Sequence, residues 1–255
     1  MEATARVQVT TRSEQVRAGS GTVPARIRRL PVDPALAGLF PDQALQGGSV
    51  VGLAGSGGSV AVLSALLAPV MAQGAWVAGV GLPDLGLEAA AAMGVCLDRL
   101  VLVPDPGPRR TEVVGALLDA VDIVVVSPAP RWRGSDARLL AARVRQRHGL
   151  LVVVEPFSPD HPRSRQLWPE SVDLSLETIS STWHGLDGGD GALCRREVTI
   201  RSFGRRGGPR ERTARVWLPD VDGSIASAQD RTGSTTGSTT GSSTGAEPAH
   251  GARVG

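Results

Sequence analysis

The sequence predicts an α/β fold, with a parallel sheet flanked by helices and a C-terminal antiparallel extension, and three observations support this class. Residues 123–126 (Ile-Val-Val-Val) and 150–154 (Leu-Leu-Val-Val-Val) are apolar without alternation, which is typical of parallel strands buried on both faces. Segments with helical character separate these apolar runs along the chain. The 255 residues are 41% hydrophobic, which is sufficient for one α/β domain with appendages.

Strands and helices alternate regularly from residue 49 to residue 154. The apolar runs predict strands at Ser49–Ala54, Ala75–Gly81, Arg99–Val103, Asp122–Val126 and Leu150–Val154. The segments between them predict helices at Ser59–Ala72, Leu85–Met93, Thr111–Ala120 and Asp136–Arg147. We expect Thr111 and Ser135 to cap the starts of the last two helices, and Gly149 to cap the end of the last one.

A different pattern follows Pro156. Val172–Glu177, Cys194–Arg201 and Arg212–Leu218 alternate apolar and polar residues, which predicts half-exposed antiparallel strands. The glycine-rich segment 204–209 is expected to form the hairpin tip between the last two strands. The chain therefore divides into a partly ordered N-terminal segment, a core domain with its antiparallel extension, and a disordered tail rich in Gly, Ser and Thr. The bounds of these three parts are residues 1–44, 45–220 and 221–255.

A glycine-rich turn joins the first strand to the first helix and resembles a phosphate-binding loop. Residues 52–59 match G-x-x-x-x-G-K-[ST] except at Gly58, which takes the place of the lysine. A second register starts the loop at Gly55 and leaves Ser49–Ala54 as a full strand, and we favour it. The chain contains no lysine, so all 27 basic residues are arginine. Phosphate could contact this loop only through backbone N–H groups and a hydroxyl. The candidate cofactor-binding residues are Gly52, Gly55, Gly57, Gly58 and Ser59.

The acids that a working ATPase needs are missing as well. Ser127 follows the strand Asp122–Val126 where an aspartate would hold magnesium, and Asp122 lies at the opposite end of that strand. Asp84 is the nearest candidate for a water-activating carboxylate, but an Asp beside a proline at a helix start is ordinarily an N-cap. The four histidines lack metal-ligand or triad spacing. We therefore expect no enzyme activity, no metal and no cofactor.

A dinucleotide-binding oxidoreductase is the competing interpretation of the same turn. Gly52, Gly55 and Gly57 also resemble the turn of short-chain dehydrogenases. Those enzymes use a tyrosine–lysine pair, and the chain has neither residue. An acidic ribose-binding residue is also missing from the end of the strand Ala75–Gly81. The oxidoreductase is therefore the less favoured alternative.

Arginines are concentrated on the predicted C-terminal hairpin. Residues 195–215 hold eight arginines against two glutamates, a local charge of +6, although the whole chain carries only +2. Such a patch suits a nucleic-acid backbone or an acidic protein surface. A solvated, arginine-rich sheet edge is the alternative interpretation. The candidate nucleic-acid or partner-binding residues are Arg195, Arg196, Arg201, Arg205, Arg206, Arg210, Arg212 and Arg215.

The cellular location follows from features that are missing. No charged residue lies between Asp42 and Asp84, a span long enough to cross a bilayer. Nine glycines and Pro69 interrupt it, which favours a buried strand and a packed helix over a membrane segment. The first residues lack the pattern of a signal peptide, and the two cysteines have no metal or disulfide spacing. We expect a cytoplasmic protein.

Several phrases of the sequence resemble the RecA family. Residues 46–55 (Gln-Gly-Gly-Ser-Val-Val-Gly-Leu-Ala-Gly) resemble the start of its phosphate-binding loop, and residues 81–100 resemble its segment from the second strand to Gly-Val-x-x-Asp-x-Leu. Residues 121–127 resemble its fourth strand. Gly-Leu-Pro-Asp-Leu-Gly (81–86) and Arg-Val-Trp-Leu-Pro-Asp (215–220) resemble one lysine-free branch in particular, the actinobacterial ImuA-type proteins of the damage-induced mutasome.

This resemblance implies a RecA-like fold over about residues 45–220 and a role in DNA damage tolerance. It implies a non-catalytic accessory factor for error-prone translesion DNA synthesis, part of the SOS response, with a degenerate ATP-binding loop. The implied partners are an ImuB-like homologue of Y-family polymerases and an error-prone DNA polymerase subunit, with DNA as a further candidate and no membrane. A nucleic-acid-binding regulator without ATPase activity is the alternative.

Overall fold

The computed structural model describes residues 29–55, 58–83, 85–127, 131–154, 168–187, 190–205 and 211–228. Its α-helices are α1 (Ser59–Ala72), α2 (Leu87–Ala92), α3 (Arg110–Ala120) and α4 (Gly134–Arg147). Its strands are β1 (Arg29–Leu30), β2 (Leu45–Gln46), β3 (Ser49–Gly55), β4 (Val77–Val80), β5 (Leu100–Val103), β6 (Ile123–Val126), β7 (Leu150–Val154), β8 (Leu174–Asp187), β9 (Asp190–Phe203), β10 (Arg212–Trp217) and β11 (Ala226–Ser227).

Within the described residues, nine strands form one mixed sheet in the order β11-β10-β9-β8-β3-β7-β6-β4-β5. The six strands from β8 to β5 in this order are parallel neighbours. The strands β9, β10 and β11 are added antiparallel at one side. This arrangement confirms the predicted α/β class, with a mostly parallel sheet and a C-terminal antiparallel extension.

Helices cover both faces of the parallel part of the sheet. α1 and α2 contribute to one apolar cluster, and α3 and α4 contribute to the other. In β6, Ile123 and Val125 belong to the first cluster, whereas Val124 and Val126 belong to the second. Burial on both faces explains why this strand is apolar without alternation, as the sequence predicted.

α1 is apolar around most of its circumference because other elements enclose it. Its buried residues share a cluster with Leu36 and Phe40 from the N-terminal segment and with Val198 and Leu218 from the extension. A helix that is hydrophobic on several sides has to be covered on several sides. The antiparallel extension and the N-terminal segment therefore share one apolar cluster with α1.

The bounds of α1 and β7 are those predicted, but the three capping predictions are wrong. Thr111 lies inside α3, and its hydroxyl donates to Asp136 Oδ2 at 3.1 Å instead of capping the helix. Ser135 likewise lies inside α4, which begins one residue earlier. At the end of α4, His148 and not Gly149 adopts the left-handed conformation, with φ of +54°.

The described fold extends beyond the predicted core at both ends. Leu36, Leu39 and Phe40 of the N-terminal segment are buried. Residues 221–228, predicted to belong to the tail, include β11, which pairs with β10. β8 and β9, with 14 residues each, are also longer than predicted. Residues 1–28 and 229–255 lie outside the described residues. Among the helices that are described, none is both long and apolar enough to cross a membrane.

Candidate functional site

The glycine turn is short. β3 ends at Gly55 and α1 begins at Ser59, with Gly58 at a φ of +87° directly before the helix. Gly52 lies inside β3, paired with Val153 on one side and Ser175 on the other. Gly52 is therefore a strand residue and not part of the turn, which favours the register that starts at Gly55. Gly57 lies outside the described residues.

Position 55 requires glycine because the neighbouring strand β8 leaves no room for a side chain. Its φ is +124°, and a Cβ at this position would lie 2.5 Å from the N and 2.9 Å from the C of Thr178 in β8. No side chain fits between two paired strands at that distance. The glycine is therefore explained by strand packing, without any ligand.

Arg196 of β9 lies against the start of α1. A Cβ on Gly58 would lie 3.0 Å from Arg196 Cζ and 3.4 Å from Nη1. The Arg196 Nε donates to Ser181 Oγ at 2.6 Å, and Cζ lies 5.4 Å from the centroid of the Trp183 ring. Burial lowers the pKa of Arg196. In the part of the chain that the structure describes, no carboxylate forms an ion pair with it, and its charge lies at the positive end of the helix dipole.

A cleft of about 1110 Å³ opens at the carboxyl ends of the parallel strands. Ser59 at the start of α1 and Ser127 after β6 both line it. The structure therefore brings together the two segments that the sequence analysis compared with the parts of an ATPase site. At this edge the chain leaves β4 toward the outer strand β5, whereas it leaves β6 in the opposite direction, toward β7. Ligands of open α/β sheets bind where connections diverge in this way. Asp84 lies outside the described residues.

One wall of the cleft carries arginines that the sequence reasoning missed. Arg110 stacks over the Trp132 ring at 4.1 Å, and its Nη2 donates to the carbonyl oxygen of Arg131 at 2.6 Å. Burial lowers the pKa of Arg110, although the nearby charge of Asp136 opposes this shift. Arg133 lines the same wall. The available signal was a pair of short basic phrases, Pro-Arg-Arg-Thr across the start of α3 and Arg-Trp-Arg directly before α4.

The arginines of the predicted basic hairpin that lie on described strands are divided between two faces of the sheet. Alternation along paired strands places Arg195, Arg201 and Arg215 on one face of the extension, and Arg196 and Arg212 on the other. Arg206 and Arg210 lie outside the described residues. The predicted concentration of charge is therefore divided between two faces.

Glutamates neutralise part of that charge. Arg201 Nη2 donates to Glu177 Oε2 at 2.6 Å, and its Nη1 lies 3.5 Å from Glu211 Oε2. The Glu177 hydrogen bond and charge raise the pKa of Arg201. Arg215 forms an ion pair with Glu197.

The remaining arginines of this region have other contacts. Arg195 stacks over the Trp217 ring at 4.1 Å, and Arg205 donates to Ser171 Oγ. Arg212 lies opposite Ser202 in the ladder between β9 and β10. Within the described residues, no group of three His, Cys, Asp or Glu side chains is placed to hold a metal ion.

Comparisons with known proteins match the part of the chain that builds the cleft. A family model described as the MT3502 N-terminal domain matches residues 38–159. An uncharacterized protein of Mycobacterium tuberculosis, Rv3395c, is 40% identical over 99 residues, which are 38% of this chain and 48% of that protein. The chain thus spans about half the length of the curated relative that it matches. The similarity fits an actinobacterial origin, and the family match ends before β8, so it excludes the antiparallel extension.

Proposed function

We propose that this chain is a non-catalytic assembly factor with a RecA-like core, acting in damage-induced, error-prone translesion DNA synthesis. Its partners would be an ImuB-like homologue of Y-family polymerases and an error-prone DNA polymerase subunit, in the cytoplasm. The phrases that resemble ImuA-type proteins support this role. The strand–glycine turn–helix unit at the centre of the sheet and the antiparallel extension support the RecA-like core.

The observation that carries the non-catalytic role is the residue that follows β6. Ser127 stands there, where a magnesium-holding aspartate would be needed, and Gly58 takes the lysine position of the phosphate-binding pattern. Arg196 lies beside Gly58, where its guanidinium supplies positive charge but neither a metal ligand nor a general base. We infer that the scaffold of a nucleotide site is retained without the groups that catalyse hydrolysis.

The first test is ATP hydrolysis by the purified chain, with and without single-stranded DNA. We expect no turnover above a protein-free blank for the wild type and for Gly58→Ala. Hydrolysis by the wild type that Gly58→Ala abolishes would contradict the proposal.

The second test is binding to the ImuB-like homologue from the same genome, measured with both purified proteins by isothermal titration calorimetry. We expect a saturable complex, and we expect deletion of this gene to lower damage-induced mutation frequency in the source organism. Absence of a complex together with an unchanged mutation frequency would refute the assembly role.

A nucleic-acid-binding regulator is the second candidate, favoured by Arg195 and Arg205, which form no ion pair with a described carboxylate. Under this role, a labelled single-stranded oligonucleotide binds with an affinity that falls steeply with salt. The double variant Arg195→Ala and Arg205→Ala would lose most of that affinity. The matched control is Arg201→Ala, because Glu177 and Glu211 already neutralise that side chain.

A further inference from the structure

The carboxyl-edge cleft has the size and lining of a binding site for a chain segment. Pockets for small molecules usually measure about 300–1,000 Å³, and this cleft measures about 1110 Å³. Its apolar lining includes Val60 of α1, Leu82 after β4 and Trp132 before α4. A ligand that fills it would have to bring apolar groups of its own.

Proline-rich loops form the outer wall of the cleft. Four prolines line it, in the segments after β4 and β5, and proline fixes the backbone φ angle. A wall of this kind keeps its shape when the cleft is empty, so a ligand orders little protein on binding. The lining prolines are Pro83, Pro104, Pro106 and Pro108.

The charge of the cleft indicates an acidic ligand, but not a nucleic acid. Arg110, Arg131 and Arg133 line it against Asp105 and Asp136, a small positive excess. In the described part of the chain, Arg131 and Arg133 form no ion pair.

Sites for single-stranded nucleic acid combine a strongly basic groove with exposed aromatic rings on which bases stack. Here the aromatic side chain that lines the cleft, Trp132, is only 3% exposed and is covered by Arg110. Apolar walls with a few arginines fit a peptide better.

We propose that this cleft binds an extended segment of the partner protein that combines apolar and acidic side chains. The apolar side chains of this segment would lie against Val60, Leu82 and the prolines that line the cleft, and its acidic side chains would lie beside Arg131 and Arg133. The inference rests on the proposed assembly function and identifies the surface through which the ImuB-like partner is held.

Two substitutions in the cleft test this inference without disturbing the core. Arg131→Glu reverses an exposed charge on the cleft wall. Val60→Glu places a negative charge on the apolar wall, and since Val60 is 38% exposed in the first turn of α1, an acid there favours the helix. The control is Arg145→Glu, an exposed arginine near the end of α4 that does not line the cleft. Circular dichroism and thermal unfolding would check that all three variants are folded.

The measurement is the Kd for the full-length ImuB-like partner. We expect Arg131→Glu and Val60→Glu to weaken binding at least about tenfold each, and Arg145→Glu to change it by no more than about threefold. Hydrogen exchange in the complex should slow for the backbone amides of residues 104–111 and 131–136.

Each other outcome is informative. Unchanged affinity for both cleft variants overturns the cleft inference and leaves the assembly function standing. So does protection confined to the backbone amides of the β8–β9 hairpin, where Trp183, Leu186 and Leu193 are exposed. No binding by the wild type overturns the cleft inference, and together with an unchanged mutation frequency it overturns the assembly function as well. Loss of oligonucleotide binding by the cleft variants, with unchanged partner binding, overturns the peptide in favour of a nucleic acid.

Discussion

Gly55 allows a quantitative test of which glycines in the turn are structural. At a φ of +124°, with a would-be Cβ 2.5 Å from the N of Thr178, an alanine has to displace backbone that is paired in the middle of the sheet. Gly58 is the matched control. Its φ is +87°, but the nearest obstacle is the end of the Arg196 side chain, which can rotate away.

The expected losses of unfolding free energy differ for this reason. For Gly55→Ala, the strained backbone costs about 1–3 kcal/mol and the overlap with β8 about 1–3 kcal/mol. Reduced freedom of the unfolded chain returns about 0.4–1 kcal/mol, which leaves a loss of about 1–5.5 kcal/mol. For Gly58→Ala, a left-handed residue costs about 1–2 kcal/mol with the same offset, which leaves about 0–1.5 kcal/mol.

Urea denaturation followed by tryptophan fluorescence measures both losses under the same conditions. We expect Gly55→Ala to be the less stable by at least about 1 kcal/mol, with similar m-values for the two variants. Equal losses, or a larger loss for Gly58→Ala, would show that Gly55 is not confined by β8. That result would reopen the interpretation of Gly55 as part of a phosphate cradle.

Two further predictions concern contacts between distant segments. Ser202→Ala should lower the unfolding free energy by about 1–3 kcal/mol, because the buried hydroxyl donates to the Leu39 carbonyl oxygen at 2.6 Å. Urea titrations measure this loss, and Ser202→Thr, which keeps the hydroxyl, is the control. The hydrogen bond from Arg143, with the charges of Arg143 and Arg147, lowers the pKa of Asp119. The ionised Asp119 therefore stabilises the folded state above the ordinary pKa of the carboxyl group, and this stabilisation is lost as the pH falls through the lowered pKa. Asp119→Asn should therefore lower the Tm at pH 7 by an amount that shrinks as the pH falls below the ordinary carboxyl range, and a difference that stays constant as the pH falls would contradict the assignment.

The parallel half of the sheet could be predicted from sequence because its signals are local. The run Leu150–Val154 is apolar at every position, and burial on both faces is the common cause of such a run in an α/β protein. The start of α1 was marked by the glycines before it. In contrast, Thr111 was expected to cap α3, but the helix begins at Arg110. The Thr111 hydroxyl instead donates to Asp136 on α4. A cap depends on tertiary neighbours that sequence spacing does not reveal.

The extension and the cleft depend on contacts between distant residues. The outer part of β8, from Thr178 to Asp187, is exposed at Trp183 and Leu186 and has no regular alternation, so only its pairing with β9 makes it a strand. Arg196 and Gly58 are 138 positions apart in the chain, and only the pairing of the extension with the central sheet brings them together. A count of charges along the chain likewise cannot show that Arg201 faces Glu177 across two strands.

The enclosure of α1 also constrains when this chain can fold during synthesis. α1 is completed at Ala72, but Val198, Ile200, Val216 and Leu218, which share its core cluster, are translated more than 120 residues later. Until they emerge from the ribosome, one side of a strongly apolar helix has no native partner. Chains with such delayed long-range contacts fold slowly and expose aggregation-prone surface. Truncation before β9 should therefore yield an aggregating fragment.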